Sequence, residues 1–237
     1  AGALQGGGMA EFKVHQLEGM QHVEIHLDDE SVRAEAGALH FMMGDITVYS
    51  RVFPSLISVI KSLLADEAIF RPIYTGTGVI TLECSLGGYH ILDLHGESWI
   101  LERGSYWASD GDVDVSFHRE PVFTSILAGE GLIFLQTRVS GHGKVALTTR
   151  GPVKHVTLKS GQSMLVEGPS VIARTLDVGF KMRRPTKNLL GFVTSGEGWL
   201  RAYEGPGTIL VTPRPYWRYW ILVERRGEVD HPSKVTF

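Results

Sequence analysis

The sequence predicts an all-β protein: three sequential β repeats of about 65 residues, closed into one pseudo-threefold barrel or sandwich with at most one or two short helices. Three observations carry this expectation. Apolar residues alternate with polar ones at period two, glycine, proline, aspartate or serine ends the apolar runs every ~8–12 residues, and the chain matches itself at a fixed offset.

The self-match comes first, because a repeat changes the reading of everything else. Residues 31–48 laid on 98–115 give six identities in eighteen positions, where ordinary composition gives about one. A second shift pairs Ser98 with Ser163, Glu102 with Glu167 and Asp112 with Asp177. A G-x-G segment followed by apolar residues recurs at 76–82, 141–147 and 205–211. The repeats therefore run over about 11–82, 83–147 and 148–211, inside one domain 9–237 that ends in a tail, 212–237. No Ser/Gly-rich or Pro-rich linker divides them.

The elements follow in order. Residues 1–8 lack an apolar core and read as an expression scar, with Met9 the expected native start. Val23, Ile25 and Leu27 alternate with His22, Glu24 and His26, the pattern of a half-buried strand. After Pro54, the spacing of Leu56, Val59, Ile60, Leu63 and Leu64 predicts a short helix. Cys84 reads as a small hydrophobe in a strand with Thr81, Leu82 and Glu83. Val113 and Val115 alternate with Asp112 and Asp114. The G-x-G glycines are expected at turns that need positive φ. A single unit leaves strand edges open, and three units remove them by closing on one another.

Composition narrows function mainly by exclusion. The 237 residues carry a formal charge of −3, so nothing draws the whole molecule to nucleic acid or anionic lipid. One cysteine permits no internal disulfide and suits a reducing compartment; the expected location is cytoplasmic or at a membrane periphery. Residues 55–70, the most apolar stretch, are interrupted by Lys61, Asp66 and Glu67, short of the ~20 residues of a membrane span. Glycine, 28 residues, exceeds the usual ~7% and recurs at the positions that the self-match pairs.

Candidate chemistry is thin. His22, Glu24 and His26 share one strand face and make a weak metal candidate; the solvent face of an amphipathic strand is the preferred reading. A cupin-type centre is disfavoured because His90 and His95 have opposite parity. No G-x-S-x-G, Cys/His arrangement or phosphate loop is present, so no catalytic residue, metal or cofactor is assigned and the chain is expected not to be an enzyme. Glu35, Glu102 and Glu167, with Asp45, Asp112 and Asp177, recur in all units; they are either a ring of carboxylates about an axis or copied structural devices, the second being preferred. The aromatic tail Tyr216, Trp217, Arg218, Tyr219 and Trp220 is the candidate partner surface and forms, with Lys181, Arg183, Arg184 and Lys187, the one local basic excess of the sequence; a closing strand, a stack on single-stranded nucleic acid or a membrane interface are its alternatives.

Glu-Ala-Gly-Ala at 35–38, Gly-Glu-Gly at 129–131 and 196–198, the G-x-G segments and Glu-Gly-Pro-Gly-Thr-Ile-Leu-Val at 204–211 together carry a family resemblance. Over about 11–211 the chain resembles a prokaryotic member of the altered-inheritance-of-mitochondria, number twenty-four, mitochondrial biogenesis family. The resemblance implies a fold like the tryptophan RNA-binding attenuator protein, with three β repeats in one chain. It also implies a tie to inner-membrane organisation for eukaryotic members, and it supplies no catalytic residue. The tail departs from the family pattern. The resulting expectation is a non-enzymatic β scaffold or binding module that presents a surface to a protein, to itself or to a membrane-associated partner. Nucleic-acid binding by fold analogy and a cupin-like metal-dependent enzyme are the alternatives.

Overall fold

The computed structural model describes residues 9–50, 71–119, 135–167, 170–183 and 200–212, and every regular element among them is a β-strand. The chain begins with a hairpin of β1 (Glu11–Leu17) and β2 (Met20–Ala34). Glu18 and Gly19, at φ 47° and 86°, make its two-residue turn, a geometry that matches the twist of the strands it joins. Along β2 the expected alternation is realised: Val23, Ile25 and Leu27 are buried, while His22, Glu24 and His26 stay partly exposed. At Asp29, φ 60°, pairing with the neighbouring strand slips by one residue and the buried positions change parity to Val32 and Ala34. One extra residue turns every later side chain to the opposite face.

Twelve further strands follow: β3 (Leu39–Tyr49), β4 (Ile73–Leu82), β5 (Tyr89–Leu101), β6 (Tyr106–Asp110), β7 (Asp114–Arg119), β8 (Leu135–Thr148), β9 (Lys154–Leu158), β10 (Ser163–Glu167), β11 (Val171–Thr175), β12 (Gly179–Arg183), β13 (Leu200–Glu204) and β14 (Gly207–Val211). One antiparallel sheet has the order β3-β4-β2-β6-β8-β5-β11-β14-β9, with β1 beside β2 and β7 beside β8. A second sheet has the order β10-β13-β12.

One pairing pattern recurs along this array. β4 lies between β2 and β3, β8 between β5 and the β6/β7 pair, and β14 with β13 between β9/β10 and β11/β12. In β3, β6 and β11 the register slips at corresponding places, at His40, Trp107 and Ile172. Positive φ likewise recurs at Asp29, Gly96 and Gly161.

The first two G-x-G segments are not turns, whereas Gly205 lies in the bend between β13 and β14. Gly76 and Gly78 lie inside β4, and Gly141 and Gly143 inside β8. A Cβ on Gly78 would sit 2.1 Å from the Met43 carbonyl oxygen, and one on Gly76 2.0 Å from that of Asp45. Glycine is needed here because two backbones cross too closely for any side chain.

Buried side chains gather in three clusters that follow the chain. Val23, Ile25, Ile80 and Leu82 belong to the first, Leu92, Leu101, Val139 and Leu147 to the second, and Leu158, Val178, Tyr203 and Ile209 to the third. Each large aliphatic buried in this way contributes about 1.5–3 kcal/mol. Ala108 joins the first cluster and Ala173 the second, so the first two clusters are each sealed by a strand from further along the chain.

Three expectations are corrected. Among the described residues no barrel closes: β3 and β9 end the larger sheet, and β10 belongs to a different sheet from β3. Cys84 is exposed and lies beyond the end of β4, because the chain there leaves the ladder after Leu82 and Glu83 donates its N–H to Ala38. The glycine pairs at 76/78 and 141/143 sit within strands, the first of them for the steric reason given above. The helix predicted after Pro54 falls outside the described residues.

Candidate interaction surface

Two joints connect strands that are distant in sequence. At the first, Val32, Arg33 and Ala34 of β2 pair with Asp110, Ser109 and Ala108 of β6. At the second, Trp99, Ile100 and Leu101 of β5 pair with Thr175, Arg174 and Ala173 of β11. Each ladder is extended at both ends by the same main-chain bonds. Glu35 N–H donates to the Trp107 carbonyl at 2.7 Å and Glu102 N–H to that of Ile172 at 2.8 Å. At the opposite end Gly111 N–H donates to the Ser31 carbonyl at 2.8 Å and Leu176 N–H to that of Ser98 at 3.0 Å. The acceptors Trp107 and Ile172 are the bulged residues, whose displaced carbonyls meet the neighbouring strand.

The recurring glutamates therefore stand at strand joints. Arg71 Nε donates to Glu35 Oε2 at 3.0 Å, Arg71 Nη2 donates to Thr137 Oγ1 at 3.1 Å, and the guanidinium lies 4.3 Å over the Tyr106 ring. Arg201 Nη1 donates to Glu102 Oε2 at 2.9 Å. Glu167 occupies the corresponding place at the end of β10. Asp112 and Asp177 sit in exposed turns and Asp45 in the exposed strand β3, so the three aspartates are not brought together.

Asp110 carries what sequence reading missed. It is buried and accepts N–H groups from Ala10 at 3.0 Å and from Lys144. Burial pushes its carboxyl above the ordinary range, against those same hydrogen bonds. Thr175 does equivalent work, its Oγ1 accepting Thr208 N–H at 3.0 Å. Arg174 is buried too, its Nη1 donating to the Val178 carbonyl at 2.6 Å; it lines a small cleft with Glu102, Gln136, Phe180 and Tyr203. Burial lowers the Arg174 pKa to about 10 and raises that of Tyr203 to about 12. Arg174 sits in Val-Ile-Ala-Arg-Thr-Leu, where a lone arginine is ordinarily expected on the exposed face.

His22, Glu24 and His26 share one face of β2. His26 Nε2 is 2.6 Å from Glu24 Oε1, and His15, on β1, lies 3.7 Å from the same oxygen while its ring stacks on His22 at 5.3 Å. Among the described residues no group of three or more His, Cys, Asp or Glu is arranged to hold a metal ion. Tyr216, Trp217, Arg218, Tyr219 and Trp220 lie outside the described residues.

The apolar surface that the structure does present is β3. Phe41, Met42, Met43, Val48 and Tyr49 are exposed along it, Met43 and Tyr49 at 61%. Its outer edge has no strand partner among the described residues. Leu165, on β10, is also exposed, at 51%. Isolated apolar residues on a surface are ordinary, whereas a run of them on an edge strand marks an interaction site or an aggregation hazard.

Fold and surface together define a class: an all-β protein of two antiparallel sheets, in which β3 has no outer partner among the described strands. The chain belongs to the family described as Mitochondrial biogenesis AIM24, whose model matches residues 12–214. It is 24% identical over 202 residues to an uncharacterised protein of Streptococcus pyogenes serotype M6, covering 80% of this chain and 79% of that one. The X-ray crystal structure of a Streptococcus pyogenes protein superposes with a TM-score of 0.69 at 20% identity, covering 92% of this chain and 99% of that one. That likeness shows the fold. Among the described residues no helix is long and apolar enough to cross a membrane.

Proposed function

We propose that this protein is a non-enzymatic β scaffold, built of three diverged copies of one β unit, that presents an apolar strand surface to a protein or membrane-associated partner. The observation that carries the reading is β3, a strand with no outer partner among the described strands and with Phe41, Met43, Val48 and Tyr49 exposed. The copied bulges at His40, Trp107 and Ile172 support the three-unit origin, because pairing irregularities are retained with the unit that contains them. A cytoplasmic or membrane-peripheral setting and the aromatic tail at 216–220 as a second contact belong to the same proposal. A tag-purified chain and a Phe41→Lys/Tyr49→Lys variant, each incubated with native lysate and separately with vesicles of mixed zwitterionic and anionic lipid, test it. Retention of a defined protein or of vesicles by the parent and its loss in the variant is the expected result; equal retention by both sinks β3 as the surface.

Nucleic-acid binding by analogy with the attenuator protein is the second reading, and fold analogy alone gives it little weight. A salt-sensitive mobility shift with single-stranded RNA at low ionic strength is its test. The third, a metal-dependent enzyme, is tested by elemental analysis for stoichiometric zinc, iron or manganese.

A further inference from the structure

We infer that the β3 edge of one molecule pairs with the β10 edge of a second copy, head to tail, in the geometry that the chain already uses twice internally. The inference deepens the scaffold reading by naming one partner, and it rests on that reading only in treating β3 as an interaction surface.

The internal joints define the rule. In each, the end of one strand (β2, then β5) pairs with a strand that carries a bulge at its start (β6, then β11). The N–H of the following glutamate bonds to the carbonyl of the bulged residue. Corresponding pieces are left over at the two ends of the array. β3 has its bulge at His40, yet no described strand pairs with its outer edge. β10 runs from Ser163 to Glu167, the counterparts of Ser31 to Glu35 and Ser98 to Glu102, and pairs only with β13 among the described strands. Among its described strands a single molecule thus offers one spare edge of each kind.

Register follows from the same correspondence. Arg33–Ser109 and Ile100–Arg174 lie midway between the flanking main-chain bonds, so their own N–H and C=O groups face each other across the joint. The matching pair is Leu165 with Met42, flanked by Val166 with Phe41 and Met164 with Met43. Burial separates the used edges from the spare ones. Ala108, Ser109 and Asp110 are buried at the first joint and Ala173 and Arg174 at the second, whereas Phe41 is 45% exposed and Met43 61%. On β10, Leu165 is 51% exposed. Large apolar side chains on the spare edge supply the burial that covalent linkage makes unnecessary within one chain. Because the two surfaces differ, the contact is heterologous and propagates into a ring or a filament.

Sedimentation velocity over a concentration series of the full chain tests this, with Met42→Pro and Leu165→Pro as variants. Both substitutions remove an N–H that faces away from the existing partner strand, the position where an edge strand tolerates proline. The parent is expected to gain mass with concentration, and each variant to remain near the single-chain 26.1 kDa. An equimolar mixture of the two is expected to give a dimer and nothing larger, since only one intact β10 edge and one intact β3 edge remain. Met43→Lys and Leu165→Lys, which leave the main chain untouched and replace exposed side chains, are expected to weaken assembly with unchanged circular dichroism. They keep the test open if a proline variant fails to fold. A parent that stays monomeric throughout, or loss of assembly in Met42→Pro with none in Leu165→Pro, overturns the inference. A monomeric parent that still retains a lysate partner overturns self-pairing and leaves the scaffold reading standing.

Discussion

Glu102 and Arg201 are 99 residues apart, and their side chains meet at 2.9 Å while only 13% and 6% exposed. The pair ties the end of β5 to β13, alongside the main-chain bond from Glu102 to Ile172. Removing Arg201 withdraws one of the charges that compensate the enclosed Glu102, whose field also reaches Arg174, at a cost of up to roughly 3–5 kcal/mol. Arg201→Met is therefore expected to lower the unfolding free energy by up to that amount, while Glu102→Leu with Arg201→Met together recover most of it. Urea unfolding of the three chains checks this; a single variant as stable as the parent removes the pair from the list of fold determinants.

The strand crossing between β3 and β4 predicts a contrast between two glycines. Gly78→Ala puts a methyl 2.1 Å from the Met43 oxygen, so the backbones must part. Gly37→Ala meets nothing within 4 Å and bears only the strain of φ +82°, about 1–2 kcal/mol. Thermal melts should show a far larger loss for Gly78→Ala.

His90 predicts the acid response. Burial, and then the neighbouring His155 ring at 5.3 Å, lower its pKa below the ordinary 6.5, with Asp93 opposing. The unfolded chain then takes up the proton first. Stability is full above 6.5 and declines as pH falls from there through the lowered folded value. His90→Phe is expected to flatten the fall in Tm between neutral and mildly acidic pH.

Asp110 acts with the opposite sign. Its pKa is raised above 3.8 by burial, so the folded protein takes up this proton first and gains stability as pH falls through the window just above that value. Asp110→Ala should abolish this gain. At neutral pH it strands the Ala10 and Lys144 N–H groups, costing about 1–3 kcal/mol for each donor left unpaired. Chemical denaturation at neutral pH and at pH near 4.5 separates the two effects.

Much of this architecture was legible in side chains. Val23, Ile25 and Leu27 announced β2, because a half-buried strand must alternate. Ser31/Ser98 and Glu35/Glu102, matched from sequence, proved to stand at corresponding ends of the two joints. Other features were opaque. The bulges at Asp29 and His40 follow from backbone dihedrals and pairing rather than from residue type. The burial of Arg71 and Arg201 depends on strands that lie far off in the chain. The G-x-G pairs at 76/78 and 141/143 were expected at turns and lie inside strands, since a close crossing and a turn both call for glycine.

By itself the sequence determined the strand class, the spacing of the recurring landmarks and the family, because these reside in side-chain periodicity and in residue identity. Only the tertiary structure decided which edges meet. β2 finds β6 and β5 finds β11, while β3 and β10 remain apart. Edge pairing is a transaction between N–H and C=O groups that every residue but proline carries, so the sequence cannot say whether an edge will be paired within the chain, by another copy or not at all.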